Sequence, residues 1–162
     1  MGSSKISPIC VLNPDVEIPR RYKLKEHHMV DTLKDKFPDV KMVFDKKVDN
    51  ACSLRRPDVR IECLTHTVIV ECDENQHKNT SCEDKRTMEL FKDLGNRPLV
   101  MIRFNSDKYG DVDSCFKFTR AGSLSLNKKE WRKRINVLCK YIEDNLHTVP
   151  EKEVNVEYLF YN

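Results

Sequence analysis

Long apolar runs are missing from this chain. None approaches the roughly 18 residues a membrane-spanning helix needs, and no hydrophobic signal-peptide segment follows Met1. These absences point to an intracellular protein, nuclear or cytoplasmic, that is neither secreted nor held in a membrane. Ile6 stands where N-myristoylation asks for Ser or Thr, so lipidation is not expected. A C-x-x-C pair is lacking too: the seven cysteines, at 10, 52, 63, 72, 82, 115 and 139, are odd in number and scattered. They read as reduced thiols, and Cys63 and Cys72 have no zinc-ligand spacing around them. Strong net charge is also absent. At +3 the global field would not gather nucleic acid, so any such function must rest on local patches. There is no internal repeat and no low-complexity run.

What is present suits one globular domain with a charged surface: 162 residues, 39% hydrophobic and 34% charged. Residues 1–19, with Pro8, Pro14 and Pro19, read as an extended lead-in, tag or linker, and residues 20–162 as a single domain. Two basic patches stand out, Arg20-Arg21-Tyr22-Lys23-Leu24-Lys25 and Lys128-Lys129-Glu130-Trp131-Arg132-Lys133-Arg134. Each suits phosphate binding or a solvated helix face equally well.

Helical spacing over Arg20 to Phe37 puts Tyr22, Met29, Val30, Leu33 and Phe37 on one side, and Pro38 stops the helix. Val40 to Phe44, Arg56 to Leu64 and Thr67 to Asp73 read as strands. Ser81 is placed to cap a second helix, with Asp84 three residues on, and Gly95 closes it. Pro98 to Phe104 is apolar on both faces, which suits an interior strand. Asn105 to Ser125 reads as a long polar loop. Asn127 and Glu130 cap a last helix with a Trp131, Ile135, Leu138 and Ile142 stripe, and the chain closes in an edge strand from Val154 to Tyr161. The expected fold is α/β, in the order α-β-β-β-α-β-α-β, with a mixed central sheet flanked by helices.

The acids sit where an apolar strand would not tolerate them without a reason. Val68-Ile69-Val70-Glu71-Cys72-Asp73 carries two carboxylates into strand sequence, and an ionised acid out of water costs several kcal/mol unless paired or bound to metal. Strand alternation puts Asp58, Arg60 and Glu62 on one side, and Ile69, Glu71 and Asp73 on one side. A hairpin closing around Thr65-His66 would set Asp58 opposite Asp73 and Arg60 opposite Glu71. Glu26, inside the apolar stripe of the first helix, either snorkels at its boundary or points under the helix to join these acids. His27, His28, His66 and His147 read as exposed.

This order, with Pro57-Asp58 on one strand and Glu71-x-Asp73 on the next, resembles the PD-(D/E)xK nuclease superfamily. Arg55-Arg56-Pro57-Asp58, Glu71-Cys72-Asp73-Glu74-Asn75-Gln76-His77, Cys82-Glu83-Asp84-Lys85-Arg86 and Ile102-Arg103-Phe104-Asn105-Ser106-Asp107-Lys108-Tyr109 look like an endonuclease-like family of large DNA viruses and of algal and oomycete genomes. The similarity extends to Glu130-Trp131 and Leu159-Phe160-Tyr161; the Cys/His-rich repeats often found beside members are absent. The arrangement is also similar to very-short-patch repair and homing endonucleases, in which a helix Glu, a strand Asp and a His after the third strand build the site; Glu26, Asp58 and His77 match.

The resemblance implies a restriction-endonuclease-like core and a DNA endonuclease dependent on Mg²⁺, with Mn²⁺ as substitute. Asp58, Glu71, the Cys72 carbonyl and Asp73 would hold the metal, consistent with the oxygen ligands a hard cation takes, and Glu26, Gln76 and His77 would complete the catalytic set. Arg55, Arg56, Lys78, Arg86, Arg103 and Asn105, with Arg20, Arg21, Lys128, Lys129 and Arg132, are the expected nucleic-acid contacts; Arg86, Arg103 and Asn105 suit bracing the acids equally well. One departure stands out. The superfamily's Lys, two residues after the second acid, is Asp73 here, which leaves His77 as candidate general base, or Lys78 and Arg86 as sources of the missing positive charge, or else makes the domain a silent DNA-binding or assembly module. Acids and metal do not report the sugar, so RNA stays open as a substrate, as does a homodimer for paired cuts.

Overall fold

A computed structural model of the chain describes residues 21–74 and 80–162. The lead-in, Arg20, Gln76, His77 and Lys78 lie outside the described residues, as do the side chains of Arg21, Tyr22 and Lys23. Helix α1, Arg21–Lys36, buries Met29, Val30 and Leu33 and ends just before Phe37-Pro38, where the proline disfavours further helix. Strand β1, Met42–Phe44, pairs antiparallel with β2, Val59–Glu62, which pairs antiparallel with β3, Thr67–Asp73.

Helix α2, Thr80–Asp93, follows. Ser81 therefore lies inside its first turn and not before it. Gly95 closes it, as the sequence suggested, with a φ of +72° that glycine adopts without a Cβ penalty; the Asn96 N–H returns to the Phe91 carbonyl at 3.0 Å. Strand β4, Leu99–Asn105, has every residue buried and runs parallel to β3 on one side. Two short strands, β5 (Phe116–Phe118) and β6 (Leu124–Leu126), pair antiparallel in a separate two-stranded sheet. Helix α3, Lys128–His147, begins where the Asn127 side chain accepts from the Glu130 N–H at 3.3 Å. Strand β7, Val154–Leu159, runs parallel to β4.

The main sheet has the order β1-β2-β3-β4-β7, antiparallel at one end and parallel at the other. Strand alternation divides its side chains between two cores. Val59, Ile61, Val68, Val70, Val100, Ile102 and Phe104 meet Met29 and Leu33 of α1 and Trp131, Ile135, Leu138 and Ile142 of α3. On the other face, Ile69, Leu99 and Met101 meet Leu90 and Phe91 of α2. The fold is thus α/β, a mixed five-stranded sheet flanked by helices. Among the described residues, no helix is long and apolar enough to cross a membrane.

Three expectations are corrected. The β2–β3 hairpin turns at Leu64-Thr65, with Cys63 N–H donating to the His66 carbonyl at 2.8 Å, so the register runs Val59↔Val70 and Glu62↔Thr67. Continued outward, this brings Asp58 beside Glu71, a shift of two residues from the expected register that leaves the faces unchanged. The shift has a visible cause: His66 is 2% exposed, its Nε2 is 2.6 Å from the Asn145 carbonyl of α3, and it belongs to the interior and not to the turn. Strand β2 is correspondingly shorter than the expected Arg56 to Leu64. Finally, the 105–125 segment is not loop throughout. Phe116-Lys117-Phe118 and Leu124-Ser125-Leu126 alternate in strand fashion about the turn at Gly122, and Cys115 and Phe116 enter the core.

Candidate functional site

The carboxylates separate into two groups. In the first, Asp58 precedes β2 and accepts from the Cys72 N–H of β3 at 2.7 Å. Glu71, 6% exposed, stands beside it on β3. Glu26 of α1 is buried and near enough for its negative charge to act on Asp58. Burial first, then the charges of Glu71 and Glu26, push the Asp58 carboxyl up to about 8, against the opposing pull of the Cys72 N–H and Arg86. Burial also raises Glu71, with Arg86 opposing. Arg86 of α2 spans both Glu71 oxygens from one nitrogen, Nη2, at 2.9 and 3.1 Å. Among the described residues, no lysine or arginine lies within ion-pair distance of Asp58.

The second group is already neutralised. Asp73 accepts a two-nitrogen fork from Arg103 of β4, at 2.7 Å from Nε and 2.5 Å from Nη2, and a hydrogen bond from the Tyr161 hydroxyl. The third nitrogen of Arg103, Nη1, pairs with Glu83 of α2. Asp73 thus spends its carboxylate inside the protein. Its proximity raises the Tyr161 hydroxyl pKa, after burial.

The donor set available to a cation is therefore narrower than expected. Among the described residues, no three His, Cys, Asp or Glu side chains are grouped to hold a metal ion. What faces a cation is Asp58, Glu71 and the backbone at Cys72. These fit a divalent ion in one specific respect: burial first, and the negative charges of Glu71 and Glu26 next, raise the Asp58 carboxyl, and a bound dication would oppose that rise.

The expected nucleic-acid contacts also divide. Lys128, Lys129 and Arg132, joined by Lys133 and Asn136, are exposed on α3 and line an open depression of about 450 Å³. Arg56 is exposed and folds back on the Asp45 carbonyl at 2.7 Å, and Arg55 pairs with Glu89 at 2.6 Å. Arg103 and Asn105 are 3% and 0% exposed, so their polar groups do not reach a surface where nucleic acid could lie. The Asn105 amide instead donates to the Phe160 carbonyl at 2.8 Å. Two basic-patch members are interior as well: Lys25 pairs with Asp107 at 2.6 Å, and Arg134 is 0% exposed.

Arg134 is the largest omission of the sequence reading. Its guanidinium donates to the carbonyls of Asn105, Asp107 and Asp113 at 2.9, 2.7 and 2.7 Å and pairs with Glu130, clamping the segment after β4. The signal was available, because position 134 is three after Trp131 and four before Leu138, on the buried stripe itself. Glu83, four before Thr87 on α2, carried a similar signal.

No protein-family model matches the chain, and no curated protein matches it in sequence.

Proposed function

We propose that the chain is a metal-dependent endonuclease with a restriction-endonuclease-like core, hydrolysing DNA phosphodiester bonds. The observation that carries this reading is the Asp58–Glu71 pair: Asp58, just before β2, faces the buried Glu71 of β3, has no lysine or arginine among the described residues within ion-pair distance, and feels the negative charge of Glu26 of α1. Asp58, Glu71 and the Cys72 carbonyl would hold Mg²⁺ or Mn²⁺. Such an ion, when bound, lowers the pKa of a water and neutralises phosphate charge.

The chain's own residues do the remaining work. Asp58 would serve as a ligand in its ionised form, and Arg86 neutralises Glu71 in the cation-free site. His77 and Gln76, on the segment just after β3, are the candidates for orienting and deprotonating the attacking water. Lys128, Lys129, Arg132 and Lys133 offer a row of cations to the phosphate backbone. Asp73 stays with Arg103 and supports the site indirectly.

The test is cleavage of supercoiled plasmid and branched DNA with Mg²⁺ or Mn²⁺. Wild type should nick both, and Asp58→Ala or Glu71→Ala should each lower the rate by at least about 100-fold. Cleavage that survives both substitutions overturns the proposal.

A second reading, a catalytically silent DNA-binding or assembly module, is favoured by one observation: the position of the superfamily Lys is an Asp locked to Arg103 and Tyr161. Such a module would bind DNA with a steep salt dependence and be indifferent to metal.

A further inference from the structure

Two arginines reach the acids on the α2 face of the sheet, and they are held very differently. Arg103 is locked: its side chain is 4% exposed and three nitrogens engage Asp73 and Glu83. Arg86 has 23% of its side chain exposed, against 7% for Glu71, and reaches that carboxylate with a single nitrogen. The same nitrogen is 3.5 Å from the Arg56 carbonyl, at the outer limit of a hydrogen bond. Glu71 is fixed in its strand; Arg86, on a long flexible stem, has solvent beside it.

Both Glu71 oxygens that a divalent cation would need are thus covered by a cation belonging to the chain. We infer that Arg86 is a resident stand-in for the metal: it neutralises Glu71 while the site is empty of cation and is displaced from that carboxylate when one binds. This inference rests on the metal-dependent reading above. Displacement leaves the guanidinium at the edge of the site, where its planar fork suits a phosphate. The exchange also keeps Glu71 from being buried as an unpaired charge, which would cost several kcal/mol.

Competition for one carboxylate makes a definite prediction about affinity. Calorimetric titration of the full chain with Mn²⁺ should give weak binding to wild type, and Arg86→Gln should bind at least about tenfold more tightly, because a competing positive charge is gone. Arg86→Lys, which keeps the charge without the fork, should fall between. In wild type, the Arg86 Nε–Hε signal in nuclear magnetic resonance spectra should shift on adding Mg²⁺, while that of Arg103 should not; this readout needs no variant to fold. Binding to Arg86→Gln that equals or falls below wild type, or an Arg86 signal indifferent to Mg²⁺ at saturation, overturns the exchange and leaves the metal site standing. Absence of Mn²⁺ binding in wild type and in Arg86→Gln alike overturns the metal reading, and this inference with it.

Discussion

At the scale of single residues, Asp58 is the group whose chemistry the fold has altered most consequentially. Its carboxyl is raised from an ordinary 3.8 to about 8, by burial first and by Glu71 and Glu26 next. An acid raised on folding binds its proton more tightly in the native state than in the unfolded one, so stability falls as pH rises between the two values. Stability should therefore fall from about pH 4 to pH 8 by on the order of a few kcal/mol, and the thermal midpoint should fall with it. Asp58→Asn should flatten most of that slope, and melts by circular dichroism across this range check it. A slope unchanged in Asp58→Asn would mean that other groups carry it. Metal should oppose the trend, since a ligand carboxylate must be ionised: added Mn²⁺ should stabilise the protein more at pH 8 than at pH 5.

At the scale of elements, the segment after β4 depends on α3. Arg134 donates to the Asn105 carbonyl at the end of β4 and to two carbonyls beyond it, those of Asp107 and Asp113, and its guanidinium lies 4.8 Å from the Tyr109 ring and 5.4 Å from that of Phe160. Arg134→Met should cost about 3–5 kcal/mol, because Glu130 and those carbonyls lose their donor. Arg134→Lys should recover little, since an ammonium cannot reproduce the fork. Urea melts give the cost, and limited proteolysis should cut first between residues 105 and 115; a variant as stable as wild type would refute the clamp. The elements themselves were largely legible in the sequence. Periodicity located α1, α2, β4 and α3 because each pairs apolar positions with a cap, a proline or a glycine at its end, and β3 and β7 stood out by their apolar, strand-forming residues. The small β5–β6 hairpin was not, since three-residue strands give too little alternation to stand out from a polar loop. The β2–β3 register was missed for a tertiary reason: the carbonyl of Asn145, far away in sequence, draws His66 inward.

At the scale of the molecule, a charge of +3 is unevenly placed. Lys128, Lys129, Arg132 and Lys133 of α3 line one depression, while Arg86, Arg103, Lys25 and Arg134 are spent inside or at the edge of the protein on acids and carbonyls. Strand alternation could place Asp58, Glu71 and Asp73 on one face, because that requires only a period of two. It could not distinguish the acid left short of charge from the one paired with Arg103, because the pairing comes from β4, thirty positions further along the chain. Buried arginine was likewise invisible to a count of charges. The central claim, that the Asp58–Glu71 pair is a divalent-metal site, is tested most directly by anomalous diffraction from a crystal soaked in Mn²⁺. A peak about 2.1 Å from a carboxylate oxygen of each of Asp58 and Glu71, with the Cys72 carbonyl as a further ligand, is the result predicted; density free of anomalous signal at that pair, at saturating Mn²⁺ and pH 8, would contradict it.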